Sequence, residues 1–152
     1  MVASGNPYRR TLSQEELAFA QKTLTERWGI TTHYWYPLTE STHPLTAKFP
    51  LVAVSLDKRA YLPAGLEVHD EKALYRKIRS FLDRRGVKRV FEIWEHGESY
   101  SLDLSLAAFR YGPGLEGYWF DEASDWLVYC SHESSVTLAG AIAEIVAPPK
   151  PG

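Results

Sequence analysis

Apolar positions along this chain recur with two different periods, and the periods divide it into helices and strands. Leu17, Ala20, Leu24 and Trp28 fall at three- and four-residue intervals and predict an amphipathic helix. Ser13, with Glu16 three positions on, has the spacing of a capping box, and Gly29 stands where a left-handed C-cap belongs. A second stripe, Leu74, Ile78, Phe81 and Leu82, follows Asp70 as N-cap and stops at Gly86.

Between and after the helices the pattern is that of strands. Ile30 to Leu38 and Leu51 to Leu56 are rich in β-formers, and Tyr61 to Val68, interrupted by Pro63 and Gly65, reads as irregular. Val87 to His96 and Tyr100 to Arg110 flank Gly97-Glu98 and predict a hairpin. Tyr100, Leu102, Leu104, Leu106 and Ala108 share one of its faces. Tyr118 to Phe120, Trp126 to His132 and Val136 to Leu138 are three further short strands, joined by the turns Asp121 to Ser124 and Glu133 to Ser135. Trp126 to Cys130 lacks polar alternation, which predicts a central strand covered on both faces. Ala139 to Val146 reads as a short closing helix, stopped by Pro148-Pro149. Consecutive strands with short turns are antiparallel. The expectation is one α+β domain over residues 1–152, with an antiparallel sheet of about five to seven strands and both helices on one face. Residues 1–11 and 148–152 are expected to be loose tails.

Composition narrows the function classes. No apolar run approaches the roughly 20 residues that cross a bilayer, and the N-terminal residues lack the apolar core of a signal peptide. The single cysteine, Cys130, excludes an internal disulfide. A cytoplasmic protein with no membrane partner is therefore expected. Charge is unevenly spread: residues 1–90 carry 15 basic against 9 acidic residues, a net of +6, and residues 91–152 carry 2 against 10, a net of −8. Either the halves pair within the fold, or the second half presents an acidic surface to a basic partner. The basic positions Lys72, Arg76, Lys77, Arg79, Arg84 and Arg85 on the second helix raise nucleic acid as a partner. The interrupting Asp70, Glu71 and Asp83, and a pI of about 6.2, argue against it.

Candidate chemistry is sparse. Cys130 and His132 share one face of a strand, the arrangement of a nucleophile and its base, but their rise of about 6.5 Å along the strand disfavours contact. His33, His43, His69, His96 and His132 form no HxH or HExxH pattern, and no CxxC is present, so neither metal nor cofactor is expected. His96 and His132 end two strands and would meet Glu98 and Glu133 if both strands end at one sheet rim.

Trp119, Asp125-Trp126-Leu127-Val128-Tyr129, Ser131-His132-Glu133 and Gly140 together make a W…DWLxYxSHE…G pattern. It resembles small bacterial proteins of about this length, some of them immunity-like proteins of toxin–immunity systems. The resemblance implies a stoichiometric inhibitor without catalysis, and it transfers no functional residue. The leading expectation is thus a non-enzymatic binding module, an immunity-type inhibitor. It would meet a basic protein partner through Glu92, Glu95, Asp121, Glu122, Asp125 and Glu133. The alternative is a small enzyme or ligand-binding domain with a rim site at His96, Cys130, His132 and Glu133. No oligomeric state follows from the residues.

Overall fold

A computed structural model describes residues 9–30, 50–56, 67–94, 99–103, 117–130 and 135–146. They form an α+β fold on one sheet. In chain order the elements are β1 (Arg9–Thr11), α1 (Gln14–Glu26), β2 (Leu51–Ser55), β3 (Glu67–Val68), α2 (Glu71–Arg84), β4 (Arg89–Trp94), β5 (Tyr100–Asp103), β6 (Gly117–Phe120), β7 (Trp126–Cys130), β8 (Ser135–Gly140) and a 3-10 helix (Ala141–Ile145). The strand order is β1-β5-β4-β6-β7-β8-β2-β3. All neighbours are antiparallel except β3, a two-residue parallel edge on β2.

Both helices start as their sequences dictate. The Ser13 hydroxyl accepts from the Glu16 amide while the Glu16 carboxylate accepts from the Ser13 amide, so the capping box closes. Asp70 caps α2 through the Ala73 amide. Gly29 (φ 67°) and Gly86 (φ 71°) take the left-handed conformation that ends each helix.

The strand β7 lies inside the sheet, and all five of its residues are buried. Alternation sends Trp126, Val128 and Cys130 to one face and Leu127 and Tyr129 to the other. On the first face they pack with Leu74, Ile78, Phe81 and Leu82 of α2; on the second, with Ala20, Leu24 and Trp28 at α1. The helices therefore cover opposite faces, which corrects the expectation that both lie on one. A strand that is apolar on both sides needs a cover on each, and the fold supplies one helix per face.

The chain ends of the elements differ in smaller ways. Arg9 to Thr11, expected in a loose arm, pair antiparallel with β5 as an edge strand. Glu67 and Val68, expected to be irregular, form β3. Ala139 and Gly140, assigned above to the closing helix, belong to β8, and a 3-10 helix follows. In the predicted hairpin β4 pairs with β5 and Leu102 is buried beside Val90. Its Gly97-Glu98 turn and Leu104, Leu106 and Ala108 lie outside the described residues. So does nearly all of the strand expected from Ile30 to Leu38.

Candidate functional site

The acidic residues singled out in the sequence meet three different fates. Glu92 is fully buried. It stands on β4 between Val90 and Trp94, on the face that α2 covers. Arg9 grips it in a fork, with Nε to Oε1 at 2.8 Å and Nη2 to Oε2 at 3.1 Å. Two indole N–H groups complete the set: Trp94 donates to Oε1 at 3.0 Å and Trp119 to Oε2 at 2.9 Å. The Trp94 and Trp119 rings stand edge to face with centroids 5.2 Å apart. Two carboxylate oxygens accept all four donors, which is what a buried charge needs. Glu92 is therefore structural and no part of a contact surface, a correction to its place among the partner-binding residues. Its signal was legible: it is a charged residue whose i±2 neighbours, Val90 and Trp94, are both apolar.

Asp125 is half-buried and bonds Arg85, the C-cap residue of α2. Arg85 also lies over the Phe81 ring, 5.2 Å from its centroid. With Arg9–Glu92 and Arg89–Asp103, this is a third ion pair between the basic and the acidic part of the chain. Asp121 organises the turn after β6, where its Oδ1 accepts from the amides of Ala123 and Ser124. Glu122, next to it, is exposed.

Asp121 and Glu122 sit beside α1, and that neighbourhood is the candidate site. A groove of about 340 Å³ is lined by Glu15, Glu16, Phe19, Phe91 and Glu122. Phe19 is 46% exposed, the large exposed hydrophobic side chain among the described residues. Its ring leans on Phe91 at a centroid distance of 5.8 Å, and Phe91 leans on the buried Phe120 at 5.4 Å. The aromatic row thus runs from the core to the surface. Glu16 is held by Arg10 through two bonds of 2.8 Å. The Arg10 guanidinium, and then the Ser13 amide, lower its carboxyl to about 2, while the Arg10 pKa is raised by the same contact. Among the described residues Glu15 and Glu122 make no side-chain ion pair. The arrangement offers carboxylates and aromatic faces together, which suits an incoming cationic side chain. Phe19 was missed because it falls off the Leu17–Ala20–Leu24–Trp28 stripe. That same displacement is the signal, since an off-stripe phenylalanine has no helix-packing role to fill.

Glu95, His96, Glu98, His132 and Glu133 lie outside the described residues. Cys130 is fully buried in the α2-side core, and burial, then Glu71 and Glu92, push its thiol well above its usual range. Among the described residues no group of His, Cys, Asp and Glu has a metal-binding arrangement. No described helix is long and apolar enough to cross a membrane. In the W…DWLxYxSHE…G pattern, Trp119, Trp126, Leu127, Val128 and Tyr129 are all buried, and Gly140 takes φ 78° at a place where a Cβ would collide with the Asp125 carbonyl. Its described apolar positions thus serve the core, while Asp125 bonds Arg85. No family model matches this chain, and neither a curated protein nor a solved structure shows significant similarity to it.

Proposed function

We propose that this protein is a non-enzymatic binding module whose groove at Phe19 receives a lysine or arginine side chain of a basic protein partner. The observation that carries the reading is the half-exposed Phe19 ring, backed by Phe91 and bordered by Glu15, Glu16 and Glu122. Interface hot spots are commonly aromatic anchors, and unpaired carboxylates beside one speed the encounter with a cationic surface. Inhibition of a toxin, the immunity-type function that the W…DWLxYxSHE…G resemblance implies, is the form we assign to this binding. The acidic surface of the proposal consists of Glu15, Asp121 and Glu122 in place of the buried Glu92 and the Arg85-bound Asp125. A cytoplasmic setting accords with a lone buried thiol.

The test is quantitative capture by the wild type, by Phe19→Ala and by Glu15→Lys/Glu122→Lys, followed by binding kinetics on the captured protein. The expected partner is basic and binds both variants at least tenfold more weakly. Its association slows as salt rises, and its own activity is lost in the complex. Equal binding by all three proteins would overturn the assignment.

A further inference from the structure

Of the six basic residues of α2 and its C-cap, two have an ion-pair partner among the described residues, and three of the other four share one groove. Arg79 bonds Asp83 and Arg85 bonds Asp125. Arg76, Lys77 and Arg84, by contrast, make no ion pair among the described residues. All three line a groove of about 630 Å³ between α2 and the 3-10 helix, together with Ser80, Glu144 and Ile145. Arg76, Ser80 and Arg84 succeed one another at four-residue steps, so they form one ridge with about 12 Å between its ends. Like charges gathered around one groove repel one another, weakly because solvent screens them. Three cations without an ion pair, against the single carboxylate of Glu144, leave this groove with an excess of positive charge.

We infer that this groove binds a small ligand through a phosphoryl group, either free phosphate or the phosphomonoester of a small molecule. Charge decides for phosphate over a single carboxylate. Three cations and Glu144 sum to +2, and a phosphomonoester carries about −1.5 to −2 at neutral pH. Donor chemistry agrees. Two guanidinium forks, an ammonium and the Ser80 hydroxyl offer more donors than one carboxylate accepts, and three phosphoryl oxygens take them up. The volume lies within the range of small-molecule sites. Glu144 opposes a polyanion threading along the groove but accepts bonds from the hydroxyl or amino groups of a compact ligand, and Ile145 gives its carbon frame an apolar surface.

The site lies on the α2 side of the sheet, opposite the Phe19 groove, so it stands or falls independently of the proposed partner binding. The experiment is isothermal titration of the full chain at fixed ionic strength with three probes: sodium phosphate, glucose 6-phosphate and a ten-nucleotide single strand of DNA. Saturable binding of phosphate or of glucose 6-phosphate at one site is expected, and the tighter of the two identifies the source. Arg76→Gln/Arg84→Gln, at exposed positions where folding is little affected, should weaken it at least tenfold, and Glu15→Gln/Glu122→Gln should leave it unchanged. Lys77→Gln is the second variant and should weaken it by a smaller factor. The inference is overturned by the absence of saturable binding up to about 10 mM, beyond the millimolar range of weak sites. Equal affinity in the Arg76→Gln/Arg84→Gln protein, or tighter and steeply salt-dependent binding of the oligonucleotide, would also overturn it.

Discussion

On the α2 face of the sheet a carboxylate is drawn into the core, and on the α1 face carboxylates stay at the surface. Glu92 lies under α2, fully buried, with Arg9 and two indoles as donors. Glu15 and Glu122 stand around Phe19, and their side chains make no ion pair among the described residues. The two faces bury similar apolar sets, so hydrophobicity does not separate them. What separates them is whether a matching set of donors is within reach. Glu92 meets four N–H donors brought by three strands, and desolvating its charge is offset only because all four arrive. Around Phe19 the arginine that is present, Arg10, is taken by Glu16, which leaves its neighbours free to bind elsewhere. Net charge over a stretch of chain therefore does not show which charges stay unpaired at the surface; internal pairing decides that.

The comparison breaks first at Glu92. Glu92→Ala removes the carboxylate that Arg9 and two indole N–H groups share, and it should cost about 3–5 kcal/mol in chemical denaturation. A loss below about 1 kcal/mol would place Glu92 with the surface carboxylates after all. Next comes Gly140 at the end of β8, with φ 78° and ψ −144°, where an added Cβ would meet the Asp125 carbonyl and the Trp28 ring. Gly140→Ala should cost about 1–3 kcal/mol from backbone strain, with the clash adding to it. A variant as stable as the wild type would show that the strand end relaxes.

Smaller effects test the α1 face. Ser13→Ala should cost about 1 kcal/mol near neutral pH by opening the capping box. Its partner Glu16 has a carboxyl lowered to about 2, so the stabilisation by that carboxylate is fully present above the usual carboxyl range near 4.5. It is lost as pH falls towards 2, and acid titration of the wild type and of Glu16→Gln should show the two stabilities converging through that window. The smallest change in stability belongs to Glu15→Lys/Glu122→Lys, within about 0–1 kcal/mol per site, because exposed charges contribute little. The same variant carries the largest expected loss of partner association, and a variant that unfolds instead would assign these carboxylates to the fold. Chemistry on the α2 face is tested by Cys130. A thiol reagent should label it slowly in the native protein and quickly after unfolding. Its raised pKa adds an alkaline limb: stability holds below the unfolded thiol pKa near 8.5 and declines as pH rises above it.

Local signals in the sequence were sufficient for the elements. The Ser13–Glu16 box, Asp70, and the glycines at 29 and 86 are decided within a few residues of chain, and all took their expected roles. The apolar run from Trp126 to Cys130 already required cover on both faces, and that requirement should have placed the helices on opposite sides of the sheet. The three residues of β1 have little pattern to read, and they became a strand only because β5 offered an open edge. The fates of the carboxylates depend on partners 83, 40 and 6 positions away: Arg9 for Glu92, Arg85 for Asp125, Arg10 for Glu16. The sequence by itself determined the composition of each helix face and strand, because period and capping are local. Apart from the i,i+4 pair Arg79–Asp83, only the tertiary structure decided which charges pair and which do not, because the other arginine pairings join residues on different elements.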